Sequence, residues 1–102
     1  MTPLRFRPEV AQDVAAAHDW YAERSDTAAP RFMVRLESAF ERIDRAPQEF
    51  PVVHRDVRRA LLARFPYAVF FVIEPSAIVV LAVLHQAVHP GVWRERITPT
   101  GD

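Results

Sequence analysis

The spacing of apolar residues changes its period along the chain, and each change marks an element. Leu4 and Phe6 flank Arg5, an alternation that predicts a short first strand closed by Pro8. Pro8 and Glu9 suit the first turn of a helix, where a missing N–H does no harm and a negative charge is favoured. Val10, Val14, Ala17 and Tyr21 then recur at helical spacing, with Asp13, Asp19 and Glu23 assigned to other faces, so a helix is predicted over residues 8–24. Ser25-Asp26-Thr27 reads as a linker ending in an N-cap at Thr27, which leaves Pro30 inside the next first turn. Phe32, Leu36, Ala39, Phe40 and Ile43 form the stripe of a second helix ending before Pro47. So short a connection predicts an antiparallel helical hairpin.

After Pro51 the pattern becomes extended. Arg58–Phe65, Tyr67–Glu74 and Ala77–His85 are runs rich in Val, Leu, Ile and Phe, read as three strands. Pro66 cannot donate to a ladder and marks a strand start or an interruption. Glu74-Pro75-Ser76 is a hairpin turn. The run Ile78 to Leu84 is apolar on both faces, as expected of a strand covered on both sides. A tail follows from Pro90, anchored by Trp93. The expected fold is α+β, in the order β-αα-βββ: an N-terminal helical hairpin on a small, mainly antiparallel sheet with a short C-terminal segment. With 102 residues this makes one domain, spanning 1–102.

Composition narrows the chemistry. Cysteine is absent, which excludes a disulfide, a zinc–thiolate site and a thiol nucleophile. All 13 basic residues are Arg, so lysine-based mechanisms are excluded too. The net charge is zero, but residues 1–50 hold 7 Arg against 9 acids and residues 51–102 hold 6 against 4. That imbalance falls short of a free-standing nucleic-acid binder. The opening residues lack the apolar core of a signal peptide, and the longest apolar stretch, residues 77–84, is too short to span a bilayer. A cytoplasmic protein without membrane contact is the expectation. The first glycine is Gly91, too late for a phosphate loop, and Ser25, Ser38 and Ser76 stand in no nucleophile elbow.

Several words stand in a particular order. They are Phe6-Arg7-Pro8-Glu9, Trp20-Tyr21, Arg31-Phe32 with Leu36, Ala39, Ile43 and Pro47, and Val57-Arg58-Arg59-Ala60-Leu61-Leu62. Phe65-Pro66-Tyr67-Ala68-Val69-Phe70-Phe71 follows, then Val79 to His85, and Pro90 with Trp93. Each is weak alone, but together they span nearly the whole chain, and the set is similar to the RelE/ParE superfamily of bacterial toxins, most closely to its ParE branch. The resemblance implies a toxin of a type II toxin–antitoxin system, of the kind that stabilises plasmids. It further implies neutralisation by a ParD-like antitoxin in a hetero-oligomer, DNA gyrase as the target, no cofactor, and no direct DNA binding without the antitoxin.

The superfamily also contains ribosome-dependent mRNA endonucleases of RelE type, the alternative reading. Where those toxins place one Arg, this chain has Ala68; where they place a second, it has Ala87 and Val88. Their terminal Tyr corresponds to Trp93, which has no hydroxyl, and their Lys pair is missing. No catalytic residues are therefore assigned, and a rewired site would rest on His85, His89 and Arg64. A metal shared by His85 and His89 is not expected, because one ends a strand and Pro90 follows the other. His85 is expected to cap the strand end with a hydrogen bond. Candidate contacts to antitoxin or target are Arg58, Arg59, Arg64, Trp20, Trp93, Arg94 and Arg96. Arg58 and Arg64 are read as sharing one strand face, opposite Arg59. For these side chains, ion pairs, a solvated face and, for Trp20, packing on Trp93 or a loop remain the plain structural alternatives.

Overall fold

A computed structural model of the chain describes residues 2–97. Strand β1 (Leu4–Phe6) leads into helix α1 (Glu9–Ala22) and helix α2 (Ala28–Arg45). A single 3-10 turn at Pro47–Glu49 follows, then β2 (Val52–His54), β3 (Val57–Leu61), β4 (Tyr67–Ile73), β5 (Ile78–His85) and a short helix α3 (Gly91–Arg94). The strands form one sheet in the order β1-β5-β4-β3-β2. Only the β1–β5 pair is parallel, because the whole helical hairpin lies in between in the chain; the other pairs are antiparallel neighbours.

The α+β arrangement and the hairpin-then-strands order are as expected, with two corrections. Strand β2, the three residues after Pro51 that pair with β3 through a bulge, was not expected. The strand expected to run to Phe65 is β3, which stops at Leu61. Residues 62–66 turn back towards β4, closed by a hydrogen bond from the Leu62 N–H to the Tyr67 carbonyl, and Arg64 takes φ +70° within the turn. Arg58 and Arg64 therefore do not share a strand face. Pro66 does stand immediately before a strand. Thr27 precedes α2 as its N-cap position, but its side chain makes no capping bond.

Alternation along β4 divides its side chains between two cores. Tyr67, Val69, Phe71 and Ile73 face the hairpin, where Phe32, Leu36, Ala39 and Ile43 of α2 and Val10 and Ala17 of α1 meet them. Ala68, Phe70 and Val72 face the opposite side with Val57, Leu81 and Trp93. A bulge in β5 shifts this alternation: Phe70 pairs with Ala82 but Phe71 with Val80, which leaves Leu81 as the extra residue. Leu81 and Ala82 consequently both face the C-terminal side. The apolar run of β5 is thus accounted for, as it serves a core on each face.

Candidate partner-binding site

The hairpin leaves an apolar groove open on its outer side. The α2 side chains one position round from the sheet-facing stripe, Met33 and Phe40, join Leu36 on one wall, and Val10, Ala11 and Val14 of α1 form the other. Phe6 and Pro8 close the end, and the groove encloses about 500 Å³. Phe6 is 48% exposed and meets the Phe40 ring edge-on at a centroid distance of 5.2 Å. At its mouth Arg7 pairs with Glu9 at 3.4 Å. A backbone amide at the helix start holds the Glu9 carboxyl below its ordinary value, and Arg7 adds to this against desolvation. An open apolar groove between two helices, beside an unpaired strand edge, is the geometry that receives an amphipathic helix or extended peptide.

The opposite face of the sheet is capped at its centre by the C-terminal segment, beside a cleft of about 340 Å³ lined by Val72, Val79, Leu81 and Arg96. Trp93, 5% exposed, stacks on Phe70 with centroids 4.7 Å apart and planes 16° apart, and His54 abuts the indole at 5.9 Å. Desolvation first, then the charges of Arg94 and Arg55, hold the His54 pKa below its ordinary value. Arg94 stays at the indole, 5.6 Å from its centroid. Arg96 reaches round the sheet edge to Asp13 of α1, in contacts of 2.6 and 3.2 Å. Both side chains are mostly buried, at 15% for Arg96 and 8% for Asp13. The same two residues complete β5 beyond the end of β1: the Val83 N–H donates to Asp13 Oδ2, and the Leu81 carbonyl accepts from Arg96. Asp13, read from sequence as lying off the apolar stripe, is an anchor between layers. Its partner lies 83 residues away, so no local pattern could have announced it.

The other sequence candidates scatter. Arg58 donates to the Gln48 and Phe50 carbonyls and fastens the turn before β2. Arg59, on the other face of β3, keeps a buried Nε without a hydrogen-bond partner. Trp20 is 49% exposed, packs edge-on against Tyr21, and lies under the Arg24 guanidinium at 3.8 Å; it does not meet Trp93. Tyr21 joins Phe32, Phe65 and Tyr67 in an aromatic cluster at the hairpin end. Desolvation there raises the pKa of both tyrosines. Arg64 is exposed in the β3–β4 turn. The side chains that sequence reasoning left out of the candidate surfaces are Phe6, Met33, Arg31 and Arg35. The broadening of the α2 stripe by Met33 and Phe40 was the one available signal for the groove.

His85, His89 and Arg64 are not joined by any hydrogen bond or ion pair among the described residues. His85 Nδ1 accepts from the Ala87 N–H at 3.0 Å, so the ring does finish its strand as expected. His89 Nδ1 accepts likewise from the Gly91 N–H. Ala68 is fully buried. Among the described residues, no three His, Cys, Asp or Glu side chains gather as a metal ion requires, and no helix is long and apolar enough to cross a membrane.

Comparison with known proteins bears on all of this. No curated protein matches the chain. Among solved structures it is similar to a chain of the chromosomal ParDE toxin–antitoxin system from P. aeruginosa. The TM-score is 0.62 at 21% identity, over 83% of this chain and 96% of the other, which is a likeness of fold. The family model for the ParE toxin of the type II toxin–antitoxin system parDE matches residues 4–90. That span takes in the hairpin, its groove and all five strands, and the chain belongs to the ParE toxin family of type II toxin–antitoxin systems.

Proposed function

We propose that this toxin arrests growth by binding DNA gyrase and that a ParD-like antitoxin, folding on it in a hetero-oligomer, neutralises it in the cytoplasm. Family membership supports the toxin and the antitoxin; gyrase enters by resemblance to the ParE branch. The observation that carries a binding role is the apolar groove of Phe6, Val14, Met33 and Phe40, a contiguous strip of core-type side chains left partly open to solvent. An antitoxin arm that is disordered when free would lay its apolar side chains in this groove as it folds. The sheet face where a RelE-type toxin would cut RNA is here filled by Ala68, Phe70 and Trp93, which offer neither a cation nor a hydroxyl. Contacts through Trp20, Arg59, Arg64 and Arg94 belong to the same reading, as these side chains remain at or near the surface.

The test is induced expression in a bacterium, with and without the adjacent small reading frame, scoring growth and plasmid supercoiling together. Arrest with altered topology, rescued by the neighbouring protein, is the expected outcome. Arrest with normal topology and collapsing protein synthesis would replace gyrase by mRNA cleavage. Normal growth would remove the toxic activity altogether.

A further inference from the structure

The flank of α2 turned away from the apolar groove holds a second one of different chemistry. Its walls are Pro30, Arg31, Val34 and Arg35 of α2 and Arg64 and Phe65 of the β3–β4 turn, around a volume of about 650 Å³. Three of these six residues are arginines and none is acidic. Among the described residues none of the three has a carboxylate within 4.0 Å, and none of their guanidinium groups makes a hydrogen bond. Helical periodicity cannot bring the acids of α2 to their aid, because Glu37, Glu41 and Asp44 recur on another stripe of the helix.

Folding alone gives no reason for this arrangement. Arg31 and Arg35 are like charges one turn apart, which weakens a helix. Arg64 holds φ +70°, a conformation suited to Gly or Asn. Val34, between the two helix arginines, is 66% exposed, more than any other large apolar side chain described.

We propose that this groove is a docking site for an acidic peptide segment, whose carboxylates pair with Arg31, Arg35 and Arg64 while an apolar side chain rests between Val34 and Phe65. Guanidinium groups suit carboxylates through paired N–H···O bonds, and the apolar floor suits a side chain rather than a sugar–phosphate backbone. Phe65 is half-buried, its ring perpendicular to those of Tyr21 and Phe32 at 5.0 and 5.5 Å, which anchors the apolar floor in the core. Naming the antitoxin as donor of the segment rests on the function proposed above. The antitoxin would then straddle α2, with the apolar groove governing dissociation and the cationic groove governing encounter rate and salt dependence.

The test is an amide NMR titration of the full-length protein with a short synthetic peptide alternating Glu and Leu, its Lys-for-Glu counterpart, and a single-stranded oligonucleotide. The acidic peptide is expected to shift amides of the non-proline residues among 28–35 and 63–67. Its affinity should fall about tenfold when salt rises from about 0.05 to about 0.3 M. A comparable loss is expected in Arg31→Gln/Arg35→Gln/Arg64→Gln, whose unchanged melting temperature would show an intact fold. Equal binding of the Lys peptide, shifts confined to the Phe6–Phe40 groove, or affinity indifferent to salt would overturn the proposal. So would tighter binding of the oligonucleotide at these amides, which would assign the groove to nucleic acid. Neither readout involves gyrase or an antitoxin, so failure here leaves the expression experiment standing, and the reverse also holds.

Discussion

The two sides of the sheet each carry a tryptophan and unusual arginines, yet put them to opposite uses. Behind the sheet, Trp93 lies flat on Phe70 and Arg96 is locked onto Asp13. On the hairpin side, Trp20 lies on the surface under Arg24, and Arg31, Arg35 and Arg64 point into an open groove without partners. The difference teaches that residue type does not separate structural from available side chains. What separates them is whether another layer covers the position. The C-terminal segment covers Phe70 at the centre of one face; no described residue fills the two grooves that flank α2.

Substitutions can break that contrast, beginning with the largest expected effect. Trp93→Ala should cost about 3–4 kcal/mol in urea unfolding, because it removes a buried stack and leaves a cavity over Phe70. A loss below about 1 kcal/mol would mean that the C-terminal segment is no part of the core. Asp13→Ala should cost about 3 kcal/mol, since it strands a mostly buried guanidinium and the Val83 N–H together. Asp13→Asn keeps an acceptor and should cost less; equal losses would show that the carboxylate charge carries the whole effect and the neutral acceptor none of it.

Arg58→Ala should lose about 1–2 kcal/mol with its bonds to the Gln48 and Phe50 carbonyls. Across the contrast the sign changes. Arg64→Gly should raise stability by about 0.5–1 kcal/mol by relieving a positive φ, and a thermal melt that moved downwards would refute this account of the turn. Arg31→Gln and Arg35→Gln should each fall within about 0.5 kcal/mol of the parent, as side chains outside the core without internal partners do.

The smallest effect concerns pH. Because His54 is held below its ordinary pKa of 6.5, the unfolded chain takes up a proton before the folded one does. Its contribution is intact above that value and is lost as pH falls below it. His54→Gln should therefore flatten the decline in melting temperature between about pH 7 and pH 5.

Much of the fold could be read from the sequence because the signals were local and repeated. Val10, Val14, Ala17 and Tyr21 fixed one helix, Phe32 to Ile43 the other, and Pro66 and Pro75 punctuated the strands. The errors fell where local pattern is weak. β2 is three residues long and lies beside a proline and a bulge, too short to show alternation. The stretch from Leu62 to Phe65 is composed like a strand but turns back at Arg64. Of the candidate site residues, Arg64 and Trp20 do stay at the surface, while Trp93 and Arg96 are occupied internally.

The sequence by itself determined the helical hairpin, the strand-rich second half, the order of elements, the absence of thiol and lysine chemistry, and the likeness to ParE toxins. These follow from periodicity, punctuation and composition, properties that neighbouring residues carry in common. Only the tertiary structure decided which arginines are free. Asp13 meets Arg96 because β1 ends early and leaves the edge of β5 open, and Arg31 lines one groove with Arg64 because the β3–β4 turn lands beside the first turns of α2. Such pairings depend on how distant elements stack, and a charged side chain carries no mark in the sequence of the layer that will or will not cover it.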